Sequence, residues 1–220
     1  MAEEIEGGLF REIEEELRQD KITEIWKAYG HYFIGVMVAI IIGVAGHQGW
    51  RSYDLSTRAE DGEKFAAASR LAESGPEGAI AAFNELAESA GSGYSLLARF
   101  QAAGLSATNG DASGAAAVYL ALANDSSVEK TYQDLAIVLG AVQELNFDSS
   151  GKGELISKLG QVITIENPWR FTAREITAFA KYQSGEIAKA NELFKALAAD
   201  NLAPAGIRSR AEEMLAVTGK

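Results

Sequence analysis

The chain has 220 residues, with 20 Lys and Arg against 31 Asp and Glu, a formal charge of −11 and no cysteine. The acid excess argues against nucleic acid and against a surface that rests on anionic lipid, and the lack of cysteine excludes disulfides and thiol catalysis. Three prolines and 47% hydrophobic residues, many of them alanine, predict an all-α protein.

Residues 1–8 read as a flexible start. From Leu9 to Lys27 the apolar residues Leu9, Ile13, Leu17, Ile22, Ile25 and Trp26 keep helical spacing, with Glu12, Glu14, Glu15 and Glu16 on the other side. This predicts a short amphipathic helix. Nine acids against four bases in residues 1–27 set it apart from a basic lipid-binding helix. It is either a solvated leader or a docking helix for a partner.

The next stretch differs from everything around it. From Ala28 to Trp50 there are 23 residues without Asp, Glu, Lys or Arg. As a helix they span about 34 Å, enough for a hydrocarbon core of about 30 Å. Phe33, Ile34, Val36, Val38, Ile40, Ile41, Ile42 and Val44 carry the hydrophobicity. At about −0.5 kcal/mol each they favour insertion by roughly 4 kcal/mol. Trp26, Tyr29, Tyr32 and Trp50 sit at the ends, where interfacial aromatics belong. A buried core helix of this length would show a polar side. A cleaved signal would need a short basic start, and here an acidic segment of about 30 residues comes first. We therefore expect a single uncleaved membrane anchor. Arg11, Arg18, Lys21 and Lys27 before it are matched by Arg51, Arg58, Lys64 and Arg70 after it, so charge gives no orientation. The expected organisation is 1–28, an acidic N-terminal helix; 29–50, the anchor; and 51–220, a helical domain.

Within that domain helices alternate with short breaks. Expected helices are Tyr53–Ser74, Ala79–Ala90, Tyr94–Thr108, a helix ending at Ala123, Val128–Phe147, Glu154–Ile165, Trp169–Ser184, Glu186–Asp200 and Pro204–Val217. Pro76 is placed to open the second of them. The middle of Val128–Phe147 is apolar all round, which predicts a central, buried helix. No stretch alternates apolar and polar residues, so no sheet is expected.

The second helix of each pair repeats. Ala79-x3-Phe83 recurs as Ala115-x3-Tyr119 and as Ala190-x3-Phe194, each followed by Leu-Ala, with a worn copy from Leu155 to Ile163. The starts lie 36, 40 and 35 residues apart. A small residue lets two helices approach, an aromatic one turn later fills the gap toward the next pair, and a glycine turn reverses the chain. One pair cannot bury its apolar face alone, so pairs stack into a solenoid. The spacing and the Ala-x3-aromatic signature resemble the tetratricopeptide repeat (TPR), in degenerate form.

The whole layout, an N-terminal helix, an anchor ending in Gly49-Trp50-Arg51-Ser52-Tyr53 and about 160 residues of TPR-like pairs, resembles the bacterial ancillary subunit of the Sec translocon. That resemblance implies a single-pass inner-membrane protein with its N-terminus in the cytoplasm and its helical domain in the periplasm. It also implies binding to translocon subunits and contact with periplasmic chaperones.

No catalytic, metal or cofactor set is read from the residues. His31 and His47 are about 24 Å apart on one helix and cannot share a metal. Gly151-Lys152-Gly153 lacks the rest of a P-loop. Asn124-Asp125-Ser126 is a formal glycosylation triplet without weight in a bacterial protein. The expected function is a membrane-anchored interaction scaffold, with no small-molecule substrate and no nucleic acid. The alternative is a purely structural subunit of another envelope complex. Partners would meet a concave face lined by the first helices of the pairs. Tyr94, Arg99, Tyr132, Trp169 and Arg170 are the candidates for partner binding, and each has a second reading as a helix cap or packing residue.

Overall fold

The computed structural model describes the backbone of residues 2–148 and 153–218, and their side chains except those of 2–25, 28 and 92. The described residues form nine α-helices and no strand: α1 (Ala2–Ser74), α2 (Pro76–Ser89), α3 (Ser92–Thr108), α4 (Ala112–Asn124), α5 (Lys130–Phe147), α6 (Glu154–Val162), α7 (Arg170–Gln183), α8 (Ile187–Ala199) and α9 (Ala205–Thr218). The chain divides into two compact units, residues 1–58 and 59–220.

In the first unit α1 begins at Ala2, where the sequence suggested a flexible start. Glu3, Glu4 and Glu6 suit the positive end of the helix dipole, and Gly7-Gly8 does not stop it. The side chains that would form the amphipathic face from Leu9 to Ile25 lie outside the described residues. Beyond them, α1 is the helix among the described residues that is long and apolar enough to cross a membrane. Its best window averages 1.8 in mean hydropathy and is 6% buried. Phe33, Ile34, Val36, Val38, Ile40, Ile41, Ile42 and Val44 all face outward, as do Tyr32 and Trp50. A Cβ at Gly35, Gly43 or Gly46 would meet nothing within 4 Å.

The second unit is a solenoid of helix pairs. Each helix packs on the next, from α2 through to α9, and α5 meets α7 while α7 meets α9. Three apolar cores follow one another along the chain. The first joins Phe65, Ala68 and Ala72 of α1 to Ala79, Phe83 and Leu86 of α2 and Ala98 and Ala102 of α3. The second runs through α3 to α7 and holds most of α5. The third joins α7, α8 and α9 around Phe194 and Leu197. The repeat positions are the deepest points of these cores. Ala79, Ala115, Ala190 and Phe194 have no exposed surface, Phe83 and Tyr119 almost none. In the worn copy Leu155, Leu159 and Val162 are likewise fully buried. Phe83 takes an edge-on contact from Phe65, and Phe194 from Phe179, with ring centroids 5.2 and 5.3 Å apart.

The central helix α5 is buried over Ala136-Ile137-Val138 and Gly140-Ala141. At Gly140 the neighbours leave no room for a side chain. A Cβ there would stand 2.8 Å from Tyr119 Cβ and closer still to Leu155 Cδ1. Pro76 is the first residue of α2, as its fixed φ favours. Other helix ends move by a few residues for local reasons. α5 starts at Lys130 rather than Val128 because Asp125 Oδ1 accepts the Ser127 N–H and holds a turn there. α6 stops at Val162 rather than Ile165, as Ile163 leaves helical backbone with ψ of 62° and the Thr164 N–H donates to the Val162 carbonyl in a tight turn. Gly110 and Gly185, between the members of the second and fourth pairs, take φ of 97° and 82°, left-handed values that glycine adopts without strain.

Candidate protein-interaction face

One polar contact recurs in every pair. A side chain on the first helix is clasped to the connection that follows the second helix. In the first pair Asp61 Oδ2 accepts the Gly91 N–H at 3.0 Å. In the second, Arg99 NH1 donates to Asp125 Oδ2 at 3.2 Å. In the third, Asn167 Nδ2 donates to Asp134 Oδ2 at 2.8 Å, while Lys130 Nζ donates to the other oxygen. In the fourth, Arg174 NH1 donates to Asp200 Oδ2 at 3.4 Å. The clasps fix the height at which each first helix stands against its partner, and so the surface that the first helices present together.

These contacts also account for the buried carboxylates. Asp61, Asp134, Glu144 and Glu175 are the buried charged side chains among the described residues. Glu144 accepts the Leu155 and Ile156 N–H groups at 3.0 and 2.8 Å and so caps α6, where positive partial charge collects. Glu175 holds Arg210 of α9 in a bidentate pair at 2.7 and 2.9 Å, and that pairing raises the guanidinium pKa further. Each has a structural partner, so none stands ready as a general acid or base. No group of three or more His, Cys, Asp or Glu among the described residues is placed to hold a metal ion.

Where α5, α7 and α9 come together they enclose a groove of about 330 Å³. Val142 and Leu145 of α5 and Ile176 and Phe179 of α7 form its walls, with Asn146, Thr172 and Gln183 at the margins and the Glu175–Arg210 pair toward α9. Val142 remains 36% exposed, so apolar surface is open to a partner. The polar groups are partly engaged: Gln183 Nε2 donates to the Leu145 carbonyl at 3.4 Å. The groove is thus an apolar trough with fixed polar margins, the kind of surface that ligands and partner side chains occupy.

The five candidate partner residues lie elsewhere. Tyr94 is half-buried, its ring 5.9 Å from Phe65 and its hydroxyl over Gly62. Arg99 is taken up in its clasp. Tyr132 is 38% exposed on the first turn of α5. Trp169 packs against the second core, with its Nε1 buried and without a hydrogen-bond partner among the described residues. Arg170 NH1 donates to the Asn167 carbonyl at 3.2 Å, and its guanidinium lies 4.2 Å above the Phe171 ring. Sequence reading passed over the groove itself. Its signal is a second stripe on α7, Thr172, Ile176, Phe179 and Gln183, spaced as one helical face.

A family model described as a tetratricopeptide repeat-like domain matches residues 24–144, more than half of the chain. The chain belongs to that family. The matched region takes in the apolar stretch of α1 and the helices through most of α5. No curated protein and no solved structure matches the chain. Beyond residue 144 the repeat is carried by internal likeness: residues 94–125 and 169–200 correspond at an offset of 75, with Arg99, Gly110, Ala115, Tyr119 and Asp125 facing Arg174, Gly185, Ala190, Phe194 and Asp200.

Proposed function

We propose that this chain is a membrane-tethered scaffold for protein–protein contacts, ancillary to the Sec translocon and linking it to periplasmic chaperones or clients. In this reading residues 29–50 span the bacterial inner membrane, 1–28 lie in the cytoplasm and 51–220 in the periplasm. The observation that carries the scaffold is the open apolar groove between α5, α7 and α9, formed by first helices of a TPR-like solenoid. The support for tethering is the outward-facing apolar surface of α1. The support for the translocon is the layout of the chain and the Gly49-Trp50-Arg51-Ser52-Tyr53 ending of the anchor. Tethering lets weak contacts suffice, because a linked site works at about millimolar effective concentration.

Photo-crosslinking in intact membranes tests this. A crosslinker at Val142 in the groove is expected to trap translocon subunits or chaperones, and one at exposed Glu192 on α8 is not. Capture of the same proteins from both positions removes the groove from the function. Deleting residues 1–52 should abolish co-purification of the translocon in mild detergent. Equal recovery with and without that segment makes the anchor irrelevant to attachment. A C-terminal reporter active only in the cytoplasm overturns the topology.

A further inference from the structure

The turn that joins α3 to α4 is fixed by its backbone. The Asp111 N–H donates to the Ser106 carbonyl at 2.9 Å and the Gly110 N–H to the Ala107 carbonyl at 3.2 Å, the paired closure that ends a helix on a left-handed residue. Gly110 takes that place with φ of 97°. Asp111 then accepts the Gly114 N–H at 2.8 Å and caps α4. The turn between α7 and α8 has the same two closures, from Gly185 to Tyr182 and from Glu186 to Lys181. Ser184 stands there where Asn109 stands here. The turn therefore requires the glycine but not the asparagine.

An asparagine ahead of a glycine carries its own chemistry. The backbone nitrogen of the glycine can attack the asparagine carbonyl carbon Cγ, with no side chain of its own in the way. The new C–N bond closes a five-membered imide. The former N–H proton leaves, and the side-chain nitrogen departs as ammonia. Water then opens the ring at either carbonyl. One opening leaves aspartate; the other leaves isoaspartate, whose backbone runs through the side chain and is one carbon longer. Water is consumed, ammonia is released, and nothing is oxidised or reduced.

Of the seven asparagines in the chain, Asn109 alone precedes glycine. Asn146, Asn167 and Asn191 have their side-chain amides in hydrogen bonds with Gln143, Asp134 and Thr218. Pro168, after Asn167, has no N–H to lose. Asn84 lies inside α2. Asn124 and Asn201 precede Asp125 and Leu202, whose side chains crowd the attack. Asn109 is exposed, and its side chain has no hydrogen-bond partner among the described residues. The folded turn still holds the reaction back. Asn109 has ψ of 7°, and closing the ring turns that bond far from this value while the Gly110 N–H lets go of Ala107. The reaction thus runs from the opened turn, and helix ends are where a native chain opens most readily.

We propose that Asn109 is a site of spontaneous deamidation in the folded chain, gated by opening of the α3–α4 turn. The product loosens that turn. An added backbone carbon takes Gly110 out of register with Ala107, and the new carboxylate sits at the negative end of α3 beside Asp111. The site depends on neither the groove nor the anchor.

The full chain in detergent is held in warm, mildly alkaline buffer, with and without urea, and digested at intervals. Peptide mass spectrometry reads amide-to-acid conversion at each asparagine, and an isoaspartyl methyltransferase labels isoaspartate. In the folded chain conversion at Asn109 is expected to run several-fold faster than at Asn124 or Asn201, and faster again in urea. Conversion at Asn109 in urea alone overturns the proposal, because the folded turn is then closed to it. Equal conversion at Asn124 or Asn201 overturns it as well, and equal rates at Asn109 with and without urea remove the gate. Asn109→Ser copies the Ser184 turn, so it should fold unchanged and lose most of the isoaspartate label. Full label in that variant places the chemistry elsewhere. The converted fraction, separated by charge, is expected to unfold at lower urea than its parent, and an equal midpoint removes the loosening.

Discussion

Phe194 and Ala190 divide the work of the repeat between volume and closeness. Phe194 fills the space among α7, α8 and α9, and Ala190, fully buried one turn earlier, lets α8 approach its neighbours. Phe194→Ala is expected to cost about 3–5 kcal/mol through the cavity it leaves. Ala190→Leu is expected to cost about 1–3 kcal/mol by overpacking. Urea unfolding of the full chain in detergent measures both, and unchanged midpoints would mean that these helices are not paired as described. Glu186 works by charge instead. Lys181 and Lys189 donate to its two oxygens at 2.7 and 2.5 Å and hold its pKa down to about 2, against 4.5 when free. A carboxyl depressed in the folded state stabilises above its free pKa. That contribution is fully present above about pH 5 and is lost as pH falls from 4.5 toward 2. Glu186→Gln should therefore flatten the fall in unfolding midpoint over that window. An identical acid profile in the variant rules the pair out as a source of acid sensitivity.

The helix pair is the element that the sequence displays unevenly. Its second members were legible because their Ala-x3-aromatic spacing repeats, and a buried small residue beside a buried ring admits few substitutes. Its first members were not legible as a repeat, because what they share is a position and a bond rather than a residue type. Asp61, Arg99, Asp134 and Arg174 occupy equivalent places as acceptor or donor, and only Arg99 and Arg174 match in kind. Helix ends were misplaced where a side chain holds a turn beside them, as Asp125 does with Ser127 ahead of α5. The groove was missed because Val142 belongs to the apolar run of α5 that reads as buried all round, although it lines an opening. The fourth clasp offers a test of the element. Arg174 and Asp200 are both partly exposed, so Arg174→Ala should cost only about 0.2–1 kcal/mol. Asp200→Ala should cost more, by about 1 kcal/mol, because Asp200 also accepts the Leu202 N–H at 3.0 Å. Equal losses would reduce the clasp to an ion pair with no hold on the connection.

A solenoid holds together through neighbours, and in the second unit the three cores are strung in chain order with few bridges between distant ones. α3 contributes to the first core and the second, and α7 to the second and the third. Stability in such an array is a sum of local terms, so a lesion should be felt nearby and fade with distance. Phe194→Ala then makes a specific pattern in native-state hydrogen exchange of the full chain. Amides of α8 and α9, whose only core is the third, should lose protection most. Those of α7 should lose less, since Ala173 and Ile176 stay packed in the second core. Those of α2 and α3, which share no core with Phe194, should keep their protection. The reciprocal substitution, Phe83→Ala, should open α2 and α3 and spare α8 and α9. Loss of protection throughout residues 59–218 from either substitution would show that the unit folds as one cooperative body, and a partner bound in the groove could then stiffen every pair at once rather than α5, α7 and α9 alone.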